Sequence, residues 1–347
     1  MSRPRIALDS PVSVVMPVLN EERHLRTSVE GVLAQEHTGP LEVLLAVGPS
    51  RDDTPRIAAT IAADDPRVRV IDNPTGTTPD ALNLAIAASS HPVVIRVDAH
   101  GELPEGYIAT AVRLLHETDA ANVGGRMDAR GTTPFERAVA AAYNSRLGLG
   151  GGGFHLAETP QGPAETVFLG AFRRESLLAV GGFDPDLLRA QDWELNLRLR
   201  QAGEKVIYSP ALVVTYRPRS SVATLARQFF RTGRWRREVI RRHPETASLR
   251  YLAPPVTVAG ILAGLGLAAS SAVRGRGQWR VVGLLAPLSY VAFVLGGTLS
   301  ARGLDPAARA RLPLVLAVMH LAWGTGFLVG VPQAQRRRTD AAPRPSS

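Results

Sequence analysis

The stretch Pro92-Val93-Val94-Ile95-Arg96-Val97-Asp98-Ala99-His100 decides how this chain is read. Pro92 opens a short run rich in β-branched residues, and Gly101 follows the stretch as a turn signal. A carboxylate and an imidazole one residue apart at the end of a strand face one ligand if the backbone turns there. Asp98 suits hard cations and His100 borderline ones, so the pair fits a divalent metal that bridges to a diphosphate. An Asp-x-His triplet is also an ordinary loop detail. Its position argues for chemistry, because another β run opens the chain and a carboxylate cluster follows downstream.

Working outward, Val12–Val18 reads as a strand, followed by Asn20-Glu21-Glu22. Residues 22–34 read as a helix, with Leu25, Val29, Val32 and Leu33 at helical spacing. Leu41–Val47 is a second strand, leaving through Gly48-Pro49-Ser50-Arg51-Asp52-Asp53-Thr54 into a helix over 55–63. Residues 68–71 form a third strand, 79–89 a helix with Pro79 in its first turn, and 93–97 a fourth strand. This alternation predicts an α/β fold with a mostly parallel sheet flanked by helices. Such sheets bind ligands at the carboxyl ends of their strands, where Asn20, Gly48 and Asp98 fall. Further on, the sequence predicts a helix over 107–116, a return to the sheet over 118–127 and a strand over 166–172. A short helix over 174–180 stops at Gly181-Gly182. The glycine-rich run 148–153 reads either as a mobile loop on the acceptor side or as a passive linker.

The 347 residues carry a net charge of +9, and Lys205 is the only lysine, so the positive charge is almost all arginine. Absence of cysteine excludes disulfides and thiolate metal sites. The basic segment 227–242 immediately precedes an apolar region, which favours an anionic membrane surface over nucleic acid as the partner. No basic-then-apolar signal opens the chain, so the N-terminal part is expected to stay in the cytosol. Three apolar stretches, 253–273, 281–300 and 312–331, are each about twenty residues, enough to cross a bilayer. The expected organisation is a catalytic domain over 1–230, a basic amphipathic segment over 231–252, a membrane region over 253–332 and a basic disordered tail over 333–347. With residues 231–242 on the cytoplasmic side, three spans put Arg274, Arg276 and Arg280 outside together with Arg336, Arg337 and Arg338. That strains the positive-inside rule, and a re-entrant or interfacial first segment is the alternative.

Two further clusters carry chemistry. Gly181-Gly182-Phe183-Asp184-Pro185 precedes Gln191-Asp192-Trp193-Glu194, at the start of a helix that Gly203 closes. An unpaired carboxylate at Asp192 is favoured in its charged form by the helix dipole and can take a proton from a hydroxyl nucleophile. The plain alternative is that Asp192 caps the helix. Glu194 reads as structural, pairing with Arg198 at i,i+4. Gln228-Phe229-Phe230-Arg231 with Arg234-Trp235 is the third cluster: an arginine can neutralise a departing diphosphate, and a tryptophan can stack on a sugar or pack on lipid. The alternative there is a basic amphipathic helix lying on the membrane.

In this order the clusters resemble the family 2 glycosyltransferases, which have a GT-A fold. Val14-Val15-Met16-Pro17-Val18-Leu19-Asn20-Glu21-Glu22 is similar to that family's opening. Asp98-Ala99-His100 stands at its Asp-x-Asp, in the form of the succinoglycan-biosynthesis branch. Gly181-Gly182-Phe183-Asp184 with Gln191-Asp192 resembles its acceptor-side pair, and Gln228-x-x-Arg231 with Trp235 its Gln-x-x-Arg-Trp. The resemblance covers residues 12–235. It implies inverting transfer of a sugar from a nucleotide donor to a lipid-linked or glycan acceptor, at a bacterial-type plasma membrane with the catalytic domain cytoplasmic. It further implies Pro17, Asn20 and Glu21 in the nucleoside pocket, Asp98 and His100 on Mn²⁺ or Mg²⁺, and Asp192 as base. Gly182, Phe183, Asp184, Gln228, Arg231 and Trp235 fall on the acceptor and diphosphate side. The family's base-contacting aspartate after the second strand is missing here, where Val47-Gly48-Pro49-Ser50 stands, so UDP is only the default nucleotide. A nucleotidyltransferase of similar fold and a non-catalytic nucleotide-sugar-binding membrane protein stay open as other classes.

Overall fold

The computed structural model describes residues 5–149, 153–275 and 277–332. In chain order the elements are β1 (Val12–Val18), α1 (Leu25–Leu33), β2 (Leu41–Val47), α2 (Thr54–Asp64), β3 (Val68–Asp72), α3 (Thr78–Ala88) and β4 (Val93–Arg96). Then come α4 (Tyr107–Thr118), β5 (Asn122–Ala129), α5 (Pro134–Tyr143), α6 (Arg146–Leu149), β6 (Gly162–Pro163), β7 (Phe168–Arg173) and α7 (Arg174–Ala179). Last are α8 (Gln191–Gln201), β8 (Val206–Tyr216), α9 (Val222–Arg242), α10 (Leu249–Val273), α11 (Gly277–Ser300) and α12 (Pro306–Val329). Residues 150–152 of the glycine run, Arg276, and the tail with Arg336, Arg337 and Arg338 lie outside the described residues. The chain divides into two units, one of Met1–Asp128 with Ala157–Tyr216 and one of Ala129–Leu156 with Arg217–Ser347.

The first unit is built on a sheet of order β3-β2-β1-β4-β7-β5-β8-β6. Its N-terminal half is parallel, with β1 between β2 and β4 and β3 outside β2. Beyond β4 the pairing turns antiparallel, β4 with β7, β7 with β5 and β6 with β8. The parallel sheet read from the sequence is therefore confined to the helix-alternating half. The central strands are near-continuous apolar runs because helices cover both faces. Val14, Met16, Val43, Leu45, Val93 and Ile95 meet Leu25, Val29, Ile108 and Val112 of α1 and α4 in one core. The edge strand β3 exposes Arg69 and Asp72, charges that discourage edge-to-edge pairing.

Chain direction places the site. β1 leads by α1 to β2 and then β3 on one side, whereas β4 lies on the other side of β1. The strand order therefore reverses between β1 and β4, and in open α/β sheets a crevice forms at such a switch point. The segments leaving β1 and β4 are Leu19-Asn20-Glu21 and Val97-Asp98-Ala99-His100.

Two elements differ from the sequence expectation. α4 runs through Thr118, and β5 starts only at Asn122. The eleven-residue strand β8 carries Pro210 in its middle. A proline there weakens the strand signal of Val206-Ile207-Tyr208 and Leu212-Val213-Val214.

The second unit is helical. α10, α11 and α12 have 25, 24 and 24 residues and are long and apolar enough to cross a membrane. At 1.5 Å per residue each reaches roughly 36 Å, against a hydrocarbon core of about 30 Å. Val256, Leu262, Leu285, Leu288 and Leu299 are exposed on these helices, which suits lipid rather than water. The first segment is one continuous helix despite Pro254 and Pro255, so it does not double back as a re-entrant hairpin. α9 and α12 approach closely because a Cβ on Gly233 would lie 2.1 Å from Trp323 O, and one on Gly326 2.0 Å from Phe230 O. Small residues at such crossings are the usual means of close helix contact.

Candidate active site

The segment after β1 is held by the loop after β2. Asn20 adopts φ 56°, a left-handed conformation that asparagine tolerates better than most residues. Its backbone N–H donates to Ser50 Oγ at 3.0 Å, and its Oδ1 accepts from Arg51 N at 2.8 Å. The Glu21 N–H donates to Thr54 Oγ1 at 2.7 Å. Pro17 lies within β1, opposite Ala46. Asp52 and Asp53, the carboxylates nearest in sequence to the missing aspartate, are both engaged by neighbouring groups. Asp52 accepts from Thr54 N and Glu22 N, and Asp53 from the Arg56 guanidinium. Hydrogen bonding with Thr54 for Asp52, and the Arg56 guanidinium for Asp53, hold both below the ordinary carboxylate range.

After β4 the chain turns sharply, the Gly101 N–H donating to Asp98 O at 2.7 Å. Ser28 Oγ of α1 donates to Gly101 O at 2.8 Å and fixes the turn against the helix. The turn carries both Asp98 and His100. His100 Nδ1 lies 2.9 Å from Glu21 Oε1, a contact that spans the switch point between β1 and β4.

Arg96 is the candidate site residue that sequence reasoning missed. It ends β4, is only 7% exposed, and its Nη2 and Nε donate to Asp98 Oδ1 at 2.9 and 3.2 Å. Its Nη1 donates to Asp192 Oδ1. Burial disfavours a charged guanidinium, but the carboxylates of Asp192 and Asp98 outweigh it and raise the Arg96 pKa above its ordinary value. Arg96 thus joins two predicted site carboxylates 94 residues apart, one at the end of β4 and one at the start of α8. The signal was present in the sequence: an arginine inside an apolar strand has to find anionic partners in the folded chain.

Asp192 is paired, contrary to the unpaired carboxylate expected from the sequence. Nor is it the cap of α8, because Ala190 holds that position without a side-chain cap bond. The carboxylate therefore has a tertiary partner rather than the local capping role. Glu194 is structural as expected: it is buried and bonds Arg198 at 2.6 and 2.7 Å. Arg198 also donates to Gly182 O at 2.8 Å, so this pair ties α8 to the glycine turn. That turn needs Gly182, whose φ is 70° and whose Cβ would lie 2.6 Å from Asn83 Oδ1. Asn83 of α3 clamps the next residue, accepting from Phe183 N at 2.8 Å and donating to Phe183 O at 2.7 Å. The Phe183 side chain is buried edge-on to Phe172 at 6.4 Å, so it anchors the turn and is not a surface for ligand. Asp184 Oδ1 accepts from Asp186 N at 2.9 Å.

Gln228, Arg231 and Trp235 belong to the second unit, where all three lie on α9. Gln228 Nε2 donates to Tyr143 Oη at 3.1 Å, and Gln228 Oε1 accepts from Arg219 Nε at 3.0 Å. Arg231 is exposed and Trp235 is buried. The arginines beyond them are more engaged than a helix lying free on a surface requires. Arg234 and Arg237 donate to Gly330 O and Leu328 O, the carbonyl end of α12, where positive charge is favourable. Arg236 is buried over the Tyr251 ring at 3.3 Å. Arg241 and Arg242 pair with Glu238; burial disfavours that carboxylate, but the two guanidinium bonds outweigh it and lower its pKa.

Comparison with known proteins bears on the family and the fold. Residues 13–180 match the model of the glycosyl transferase family 2. The chain is 33% identical to the succinoglycan biosynthesis protein ExoA of Rhizobium meliloti (strain 1021) over 327 residues, 90% of this chain and 93% of that one. It is 24% identical over 234 residues to the dolichyl N-acetyl-alpha-D-glucosaminyl phosphate 3-beta-D-2,3-diacetamido-2,3-dideoxy-beta-D-glucuronosyltransferase of Methanococcus voltae, 64% of this chain and 71% of that one. The fold is similar to that of the mannosyltransferase PcManGT from Pyrobaculum calidifontis, solved with GDP-Man and Mn²⁺. The TM-score is 0.56 at 19% identity, over 98% of this chain and 90% of that one. With the mixed sheet of a GT-A fold, the switch-point site and three apolar C-terminal helices, the chain belongs to glycosyl transferase family 2 and is a glycosyltransferase of the succinoglycan-biosynthesis-like branch.

Proposed function

We propose that the chain transfers a sugar, with inversion, from a nucleotide-sugar donor to a lipid-linked or glycan acceptor at the membrane. The product belongs to an exopolysaccharide or cell-envelope glycan. One observation carries the reading: a single buried guanidinium, Arg96, holds both Asp98 and Asp192. A carboxylate suited to the donor diphosphate and one suited to the acceptor hydroxyl thus share one partner. The names of the Rhizobium and Methanococcus relatives support the polysaccharide product and the lipid-phosphate-linked acceptor respectively.

In this reading Pro17, Asn20 and Glu21 line the nucleoside pocket, with UDP as the default because Gly48-Pro49 offers no carboxylate to the base. Asp98 and His100 hold the divalent metal, Mn²⁺ or Mg²⁺. Among the described residues no three His, Asp or Glu side chains form a metal cluster. The donor set still fits, because Mg²⁺ is typically held by one or two protein carboxylates while substrate phosphates and water complete its shell. When bound, the metal offsets charge on the leaving diphosphate. Asp192 takes the proton of the acceptor hydroxyl on Oδ2 while Arg96 keeps Oδ1 engaged and the carboxylate oriented. Gly182 and Asp184 shape the acceptor side, with Phe183 holding their turn from the core, and Gln228, Arg231 and Trp235 serve the acceptor and diphosphate. Residues 1–230 act as the catalytic part on the cytoplasmic face, marked by the arginines of α9. The helices within 253–332 anchor it.

The test is a panel of nucleotide-sugars offered to purified full-length protein in detergent. Metal-dependent release of nucleoside diphosphate from one donor, abolished by EDTA, is the expected result. Release of pyrophosphate instead would identify a nucleotidyltransferase. Binding with no release would leave a non-catalytic nucleotide-sugar receptor.

A further inference from the structure

Within the second unit, α6, α9, α10, α11 and α12 enclose a groove of about 640 Å³. Its walls include Ile261, Ala286 and Phe293, on helices long and apolar enough to cross a membrane. Among its described lining residues two are arginines, Arg146 and Arg250, and none is acidic. Arg250 is the second residue of α10 and lies over the Tyr251 ring at 4.4 Å. Arginine and tyrosine at a helix end are the residues expected where a bilayer meets water. Ile261 follows eleven residues later on the same helix, about 16 Å further along the axis at 1.5 Å per residue. Along α10 the groove thus passes from a cationic, aromatic end to an apolar interior.

We propose that this groove binds the lipid carrier of the acceptor: a single polyprenyl chain in the apolar part, with its phosphate at Arg250 and Arg146. The assignment rests on the lipid-linked acceptor proposed above. The occupant is set by two features. The cationic lining, with no acidic side chain among its described residues, selects an anionic headgroup, which arginine holds through charge-assisted hydrogen bonds. A single groove takes one chain, whereas a bulk phospholipid brings two. A polar pair borders the slot: Tyr290 Oη lies 3.2 Å from His320 Nδ1, and His320 Nε2 lies 2.7 Å from Leu147 O. This pair links α11 and α12 to α6 and fixes the wall against which the chain lies.

Gly260 allows a direct test. It lines the groove, and a Cβ built on it meets no atom within 4 Å, so a larger side chain at this position has open space to fill. Binding of a radiolabelled polyprenyl monophosphate to the full-length protein in detergent is measured, with unlabelled polyprenol and phosphatidylglycerol as competitors. For wild type, polyprenyl phosphate should compete at least about tenfold better than either. Gly260→Trp should weaken binding by about tenfold or more, since excluding two buried methylenes suffices for that factor. Arg250→Gln should weaken binding of the phosphate by a similar factor and leave polyprenol unchanged. Unaltered binding in both variants, or equal competition by phosphatidylglycerol, overturns the assignment. Gly260→Trp should unfold within a few degrees of wild type in the same detergent, which verifies the variant's fold; donor-only release of nucleoside diphosphate is followed on wild type alone. If wild type shows no such release, the proposed function fails, while the binding series still decides the groove.

Discussion

Asp192→Asn is expected to lower sugar transfer by about 10²–10⁴-fold, the range that general-base catalysis contributes. Asparagine keeps the size of the side chain and still accepts a hydrogen bond from Arg96 Nη1, so the α8 to β4 link survives. What it loses is basicity. Donor affinity should therefore change little, because the proposed donor contacts Asn20, Glu21, Asp98 and His100 are untouched. A purely structural Asp192 predicts another pattern: transfer and donor affinity near wild type. Donor affinity and transfer rate measured on one preparation separate the two. A rate within a few-fold of wild type moves the base elsewhere, with Glu194 and Asp184 next in line. Glu194 is the weaker of these, since both of its oxygens are bonded to Arg198.

Asp98→Ala should reduce turnover by at least about 10²-fold, because the leaving diphosphate loses metal charge stabilisation worth several kcal/mol. It also deprives Arg96 of one of its two carboxylates, so His100→Asp provides the complementary variant. That change keeps a metal ligand, leaves the Arg96 pairs intact and should retain activity with a preference shifted toward Mg²⁺ over softer ions. Activity titrated against Mn²⁺ and Mg²⁺ for the three proteins reads both effects. Full activity of Asp98→Ala in excess EDTA would remove Asp98 and the metal from the reaction.

The local parts of this site were legible in the sequence. Apolar periodicity placed β1, β2 and β4, and the rule that ligands gather at strand carboxyl ends picked out Asn20, Gly48 and Asp98. The glycine stop after α7 and the Glu194–Arg198 pair follow from spacings of one to four residues. What escaped depends on the tertiary fold. The antiparallel half of the sheet has no helical alternation to announce it, and β8 is masked by Pro210. The Asn83 clamp on Phe183 joins residues 100 apart. Arg96 was visible as a charge inside an apolar run, but only the fold shows which carboxylates it serves. The role of α9 was half legible: its arginines mark the neighbourhood of the membrane, yet Arg234 and Arg237 also cap α12.

The central claim, in-line attack by a hydroxyl that Asp192 deprotonates, is tested most directly by the anomeric configuration of the product. Once the donor is known, the one-bond C1–H1 coupling of the transferred sugar is measured by NMR on product made by the full-length protein. The account predicts inversion, so that an α-linked donor yields a β-linked product. An α-linked product would contradict it.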